Sequence, residues 1–265
     1  MPGSADIARG ARGILVTGGG SFLGDYIAVA LLAEGAPVSL LAQPGAEDKL
    51  GQLARHTRWS PADVWKPGSL RGKARGHAAV IHTIGSLTDD PARGASFERL
   101  NLVSTRNVAN MCISDGVERL IFISGSRAPW LKRGYIPSKR AAEAYLRRSG
   151  LRTTIVRAPL LYARDQDRAL FFRLLTRLGR LPPLAQLGLG NAAPLAVDLL
   201  ARGVAQLALA DSYDNAIVYA GELQELARRA TAPIAEASPG FASRELGDAP
   251  DEDLPFGWTP GNEQP

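Results

Sequence analysis

Cysteine is nearly missing from this chain. Cys112 stands alone among 265 residues, so an internal disulfide and a cysteine-built zinc cluster are both excluded, and a reducing compartment is the natural expectation. Histidine is scarce as well. His56, His77 and His82 show no ligand spacing, so no metal site is expected. Aromatic residues make up 6% while glycine and alanine abound; that balance suits tightly packed helix and sheet layers better than an all-β fold. No apolar run attains the roughly 20 residues that a membrane helix needs. The best stretch, Tyr26 to Ala42, is interrupted by Glu34, Gly35 and Pro37. The first residues, MPGSADIARGARG, hold two arginines, Asp6 and no hydrophobic stretch, so no targeting peptide is expected.

What is present is ample for one large domain or two small ones. Hydrophobic residues form 45% of the chain, enough for a sizeable core. The net charge of +5 conceals an asymmetry. Residues 236–265 hold seven acids and one base, leaving 30 bases against 19 acids elsewhere. Such a body favours anionic partners, dinucleotide phosphates among them. The arginines are scattered and not interleaved with aromatics, so nucleic acid is not an expected partner.

The hydrophobic pattern alternates between strand and helix. Gly13–Thr17, Pro37–Ala42, Ala78–Ile84, Arg119–Ser124 and Thr153–Arg157 are apolar runs of strand length. Leu23–Glu34, Phe97–Ser114 and Tyr135–Gly150 have helical spacing between them. This order predicts βαβ units, hence a doubly wound parallel α/β sheet with its ligand crevice at the carboxyl ends of the strands. Beyond Pro159 the pattern loosens. Helices are expected at Arg168–Leu181, Val197–Leu209 and Leu223–Arg229, with a late strand at Ala216–Ala220. These pieces, about 160–235, are expected to form a small substrate-side part that covers the crevice. The working division is a flexible stretch at 1–11, a nucleotide-binding unit at 12–235, and an acidic Pro/Gly-rich tail at 236–265 in which Leu254–Trp258 could anchor to a surface.

Thr17-Gly-Gly-Gly-Ser-Phe-Leu-Gly24 follows a strand and opens a helix. Glycines there admit positive φ and let backbone approach a pyrophosphate, and the helix N-terminus offers free amides to that anion. The motif would place glycine at positions 18, 21 and 24. Ser21 holds the middle position, and Gly20 is placed to take over the close approach. A ribose-binding acid should end the second strand, yet the chain has Leu41-Ala-Gln43 there. Without an acid at Gln43 the expectation is NADP(H) in preference to NAD(H), with Lys49 and Arg55 the nearest cations in sequence.

Tyr135-Ile-Pro-Ser-Lys139 puts a phenol and an ammonium one helical turn apart on one face. A neighbouring ammonium lowers the pKa of a phenol, so Tyr135 is expected to titrate nearer neutrality and to exchange a proton with a substrate hydroxyl or carbonyl.

TGGGSFLG, AVIHTIGS, NLVSTRNV, RLIFISGS, YIPSKRAAEAYL and TTIVRAPLLYAR occur in the order seen in extended and atypical short-chain dehydrogenases/reductases. The chain resembles that family from about Arg12 to Leu209. AVIHTIGSL and GYIPSKRAAE look most like its atypical branch, which includes the NADPH-binding accessory subunit of mitochondrial NADH:ubiquinone oxidoreductase and the dehydrogenase-like proteins linked to ubiquinone biosynthesis. The resemblance implies roles at matching positions. Thr17, Gly18, Gly20, Ser21, Phe22, Leu23 and Gly24 would line the pyrophosphate; Gln43 would stand at the ribose. Asp63 and Val64 would lie by the adenine; Thr83, Ile84 and Gly85 would face the cofactor. Tyr135 and Lys139 would be the acid/base and its partner, Lys139 also holding the nicotinamide ribose. Ala158, Pro159 and Leu160 would flank the nicotinamide. A carbonyl-polarising serine would be Ser124 or Ser126, which lie eleven and nine residues before Tyr135, a short interval for an active member.

Two functions stay open at this point. One is an oxidoreductase acting on a hydrophobic carbonyl, hydroxyl or quinone-related compound. The other is a non-catalytic NADP(H)-holding accessory or assembly subunit of a membrane-associated respiratory or quinone-biosynthesis complex. Either implies a soluble chain on the matrix side of the mitochondrial inner membrane or in a bacterial cytoplasm. His82 is expected to be a packed strand residue, Cys112 buried and inert, and Asp198 a structural brace. Arg168, Arg173, Arg177 and Arg180 form either a basic stripe over the crevice or a solvated helix face.

Overall fold

The computed structural model describes residues 12–163 and 194–230. The expected helix at 168–181 with its four arginines, the tail at 236–265 and the first eleven residues lie outside them.

Seven strands form one sheet: β1 (Ile14–Gly19), β2 (Val38–Ala42), β3 (Arg58–Pro61), β4 (Ala79–His82), β5 (Arg119–Gly125), β6 (Arg152–Ala158) and β9 (Ile217–Tyr219). Their order across the sheet is β3-β2-β1-β4-β5-β6-β9, and every pairing is parallel. The chain winds outward from β1 in one direction, then crosses over to β4 and winds in the other. This makes a Rossmann-like sheet whose switch point lies between β1 and β4.

Both faces of the central strands are buried, which is why they read as continuous apolar runs. Alternate residues still divide between two cores. Ile14, Val16, Ile121 and Ile123 face one side with α1 (Phe22–Ala33). Leu15, Leu120 and Phe122 face the other with α4 (Ser104–Asp115) and α5 (Tyr135–Arg148). Two one-turn helices, α2 (Leu53–His56) and α3 (Pro67–Leu70), lie between β2 and β4 in the chain. The expected Phe97–Ser114 helix is present in two parts. A wide π-type coil over Glu98–Val103 runs into α4. Strand β3 has no apolar run to announce it. Its four residues are exposed or half-buried at the sheet edge, where Pro61 is tolerated.

The late elements depart from expectation. Strand β9 extends the main sheet beside β6 rather than covering the crevice. Helices α6 (Val197–Leu209) and α7 (Ala220–Ala227) join the same core as α1, because Leu200, Val204, Leu207 and Leu223 are fully buried there. Gly203 permits the close crossing: a Cβ on it would lie 2.7 Å from the Leu223 carbonyl oxygen. Arg119 ties this layer to the sheet. Its buried guanidinium donates to the carbonyls of Leu207 at 2.6 Å, Ala208 at 3.0 Å and Ala210, which are orphaned at the end of α6. A separate short pair, β7 (Leu161–Tyr162) with β8 (Leu195–Ala196), brackets residues 163–194.

Candidate dinucleotide and active site

The glycine turn sits at the carboxyl end of β1, on the switch point. Gly18 and Gly20 have φ of +90° and +79°. A side chain at Gly18 would overlap Thr83 Oγ1, and one at Gly24 would overlap the Gly18 carbonyl. Thr83 pins β4 to β1: its Oγ1 donates to the Thr17 carbonyl at 2.5 Å, and its amide donates to Thr17 Oγ1 at 3.2 Å. Ser21 explains its own departure from the motif. It is the N-cap of α1, donating to the Gly18 carbonyl at 2.5 Å and accepting from the Gly24 amide at 3.3 Å. The Gly20 amide donates to Asp25 Oδ1 at 2.8 Å. The amides of Phe22 and Leu23 belong to the first turn of α1, where the helix supplies no acceptor, and the helix dipole adds partial positive charge. The turn fits a pyrophosphate on those two amides. Leu23 has only its amide to offer a ligand, since its side chain is wholly buried in the core.

Beyond the turn, Gly19 pairs with Ala42, so the turn lies beside the Gln43 end of β2. A short coil over Glu47–Leu50 packs on Gly20, where a Cβ would lie 3.0 Å from that of Lys49. Asp63 follows β3 and accepts from the Trp65 amide at 2.9 Å. Val64 is fully buried with Leu41, Ala62 and Leu70. Its side chain therefore belongs to the core, not to an adenine pocket. Ile84 is buried there too, leaving backbone as the part of it that could face a ligand.

Tyr135 and Lys139 share the first turn of α5, and both are buried. The Tyr135 phenol lies on Gly125, where a Cβ would come 2.5 Å from its hydroxyl. Lys139 Nζ donates to the Ile123 carbonyl at 3.1 Å and lies 4.9 Å from the centre of the Phe122 ring. Gly85 admits it, because a side chain there would collide with Lys139 Nζ. Burial pulls the Lys139 ammonium down to about 7, opposed by the Glu143 carboxylate. Burial pushes the Tyr135 phenol up, against the influence of Arg140. The expected lowering of the phenol's pKa is thus reversed: loss of water outweighs the Arg140 cation.

Neither candidate serine has an uncommitted hydroxyl. Ser124 Oγ donates to Glu143 Oε1 at 2.6 Å and accepts from Arg140 at 3.2 Å. Ser126 Oγ donates to the Arg157 carbonyl at 2.9 Å. Burial alone would raise the Glu143 carboxyl, but hydrogen bonds from Arg157 and Ser124, with Arg140 beside them, hold it below the usual carboxylate range.

Two groups escaped the sequence. Asn101, in the π-type coil, accepts from the Ser86 amide at 3.0 Å and donates to the Ser138 hydroxyl at 3.0 Å. Its side-chain oxygen borders Gly85 together with Lys139. A polar residue opening NLVSTRNV was the available signal, since π-type turns often mark working positions. Glu143 was the other, because one helical turn past Lys139 it passes for a solvated residue.

A cleft of about 630 Å³, counted out into solvent, gathers nine of the twenty expected site residues. Thr83, Ser124, Ser126, Tyr135, Lys139, Ala158, Pro159 and Leu160 line it, with Phe22 from the glycine turn. Leu87, Trp130, Leu131 and Leu161 give it an apolar mouth. Thr17, Gly18, Gly20, Ser21, Leu23, Gly24, Gln43, Asp63, Val64, Ile84 and Gly85 do not line it.

Residues 18–174, more than half of the chain and beginning on the first glycine of the turn, match the NAD(P)H-binding family. The chain belongs to that family. Cinnamoyl-CoA reductase 1 of Oryza sativa subsp. japonica is 30% identical over 117 residues, covering 42% of this chain and 33% of the reductase. The match therefore spans about a third of that relative. Among solved structures, a putative NAD-dependent epimerase/dehydratase from Bacillus halodurans superposes with a TM-score of 0.59 at 15% identity, covering 82% of this chain and 98% of the other. WbmH of Bordetella bronchiseptica, solved with NAD+, gives 0.57 at 18% identity, with 82% and 79% covered. The family match makes the chain an NAD(P)H-binding protein, and the structural matches show that it shares a Rossmann-like fold with these proteins.

The remaining singled-out residues are structural. His82 is wholly buried, its Nδ1 2.9 Å from Thr17 Oγ1 and its ring stacked on Phe122. Burial, with Lys139 nearby, pulls it down to about 3. Cys112 is buried, and its thiol is pushed up to about 12 by loss of water. Asp198 braces α6 through Arg202 at 3.2 Å. Among the described residues no acidic, cysteine and histidine side chains gather as a metal site, and no helix is long and apolar enough to cross a membrane.

Proposed function

We propose that the chain is a nicotinamide-dinucleotide-dependent oxidoreductase that reduces a hydrophobic carbonyl compound, quinones included. The observation that supports it is the single cleft joining Phe22 of the glycine turn to Tyr135 and Lys139 under an apolar mouth. A dinucleotide held on the turn would supply the hydride. Tyr135 holds its proton firmly, because burial disfavours the phenolate. The proton it carries at neutral pH is the one delivered to the carbonyl oxygen as the hydride reaches its carbon, the developing alkoxide being basic enough to draw it from so weak an acid. Lys139, poised about 7, is able to return a proton towards Tyr135 after turnover. Leu87, Trp130 and Leu131 would hold the apolar body of the substrate.

NADH and NADPH oxidation measured against a panel of aldehydes, ketones and quinones tests this. The wild type is expected to turn over at least one class, with Tyr135→Phe slowed by about 10²–10⁴-fold. Equal rates in the two proteins would refute the assignment.

The committed hydroxyls of Ser124 and Ser126 favour a second reading. Lacking a carbonyl-polarising donor, the chain would hold its dinucleotide without turnover, as an accessory or assembly subunit of a respiratory or ubiquinone-biosynthesis complex. Purification from the native source separates the two readings. A catalytically silent chain found only in a larger complex supports the second; a free, active chain removes it.

A further inference from the structure

We infer that Asp25 sets the dinucleotide preference, in favour of NAD(H) and against NADP(H). The inference rests on the glycine turn being the dinucleotide site. It reverses the expectation drawn from Gln43. An acid does stand beside the ribose end of the turn; it arrives from the first turn of α1 rather than from the end of β2. Asp25 is 8% exposed, and its Oδ1 accepts the Gly20 amide at 2.8 Å. Because Gly19 is in register with Ala42, Gly20 lies next to the end of β2. In sheets of this topology that end is where the adenosine ribose hydroxyls are recognised.

The carboxylate is fixed in place by the amide and by the positive end of the helix dipole. A ribose 2′-hydroxyl brings a donor to such a group. A 2′-phosphate brings up to two negative charges and no donor. Lys49, whose Cβ packs on Gly20, brings one positive charge to this part of the chain against the one negative charge of Asp25, so the pair offers a phosphate no net positive charge. The pyrophosphate has donors of its own in the Phe22 and Leu23 amides. Like charges about 6 Å apart at an effective dielectric near 20 correspond to roughly a hundredfold in affinity, and screening at a turn open to water reduces that to about tenfold.

Titrating the full-length protein with NADH and with NADPH, followed by nicotinamide fluorescence at low salt, tests the inference. The wild type is expected to bind NADH about tenfold more tightly, a margin that shrinks as salt is added. Asp25→Asn keeps an acceptor for the Gly20 amide while removing the charge. It is expected to improve NADPH binding by about tenfold and to weaken NADH binding, since the charge-assisted bond to the 2′-hydroxyl becomes a neutral one, so the ratio moves towards NADPH. Equal or tighter binding of NADPH by the wild type overturns the inference, as does an unchanged ratio in a folded Asp25→Asn protein. Should that variant not fold, the wild-type ratio and its salt dependence decide alone. Failure of the wild type to bind either nucleotide is a distinct result that removes the dinucleotide site itself, and the preference with it.

Discussion

Glu143→Gln tests whether the floor of the cleft is held by charge. Glu143 is 1% exposed. Its Oε1 accepts from Ser124 at 2.6 Å, from Arg157 Nε at 3.2 Å and from Arg140. Its Oε2 accepts from Arg157 Nη2 at 2.6 Å. The same Arg157 donates to the Tyr219 hydroxyl at 2.7 Å, so one carboxylate links α5, β5, β6 and β9. Glutamine retains one acceptor oxygen but turns an amide donor towards guanidinium groups. Removing one member of a buried ion pair costs about 3–5 kcal/mol, and the retained acceptor argues for the lower end, about 3 kcal/mol. For a domain of this size that is a fall in Tm of roughly 6–12 °C. Thermal and urea denaturation at pH 7 measure it. The acid dependence provides a second check. The Glu143 carboxyl is held below its unfolded value, so its contribution is present above the ordinary carboxylate pKa and is lost as pH falls through the folded one. The gap between wild type and variant should therefore close in acid. A variant within 1 kcal/mol of wild type at pH 7, or a gap that widens as pH falls, would refute the reasoning.

Gly24→Ala is expected to destabilise by about 1–3 kcal/mol, although an exposed helical glycine normally gains up to about 1 kcal/mol from the same change. The new Cβ would meet the Gly18 carbonyl, which is backbone and cannot rotate aside. Denaturation and dinucleotide titration should show both losses, and a stabilised variant would mean the turn is looser than described. Lys139→Met is expected to flatten the pH dependence of stability. The folded pKa of Lys139, about 7, lies below its unfolded value, so the unfolded chain binds the extra proton between them. Wild-type stability should rise from pH 7 towards pH 10 by up to about 1.4 kcal/mol per unit. Urea midpoints at pH 7 and 9 that move equally in wild type and variant would contradict this.

Much of the fold was legible because its strands are buried on both faces. Apolar runs such as RLIFIS could hardly be anything but central strands, and the glycine turn fell between a strand and a helix as its chemistry requires. Strand β3 was not legible, since RWSP lies at an edge and carries no apolar signature. The late helices were legible as helices but not in position. Nothing local shows that Leu200 and Val204 pack behind α1 instead of over the crevice. At the site, the one-turn spacing of Tyr135 and Lys139 was plain, while the direction of their titration was not, because desolvation depends on the whole surrounding core. Glu143 shares that difficulty. It is an acid on a helix whose partners Ser124 and Arg157, on two strands, are reached only by three-dimensional closure.

The β7–β8 ladder has a consequence for how such a scaffold diversifies. Leu161 is in register with Leu195, so two distant points of the chain are stapled side by side at the rim of the pocket that Leu160 and Leu161 help to form. With both anchor points secured, lengthening the intervening peptide adds only a slowly growing closure entropy, about 0.6 kcal/mol per doubling. Changes in length between the two anchors are therefore cheap, while the sheet stays untouched.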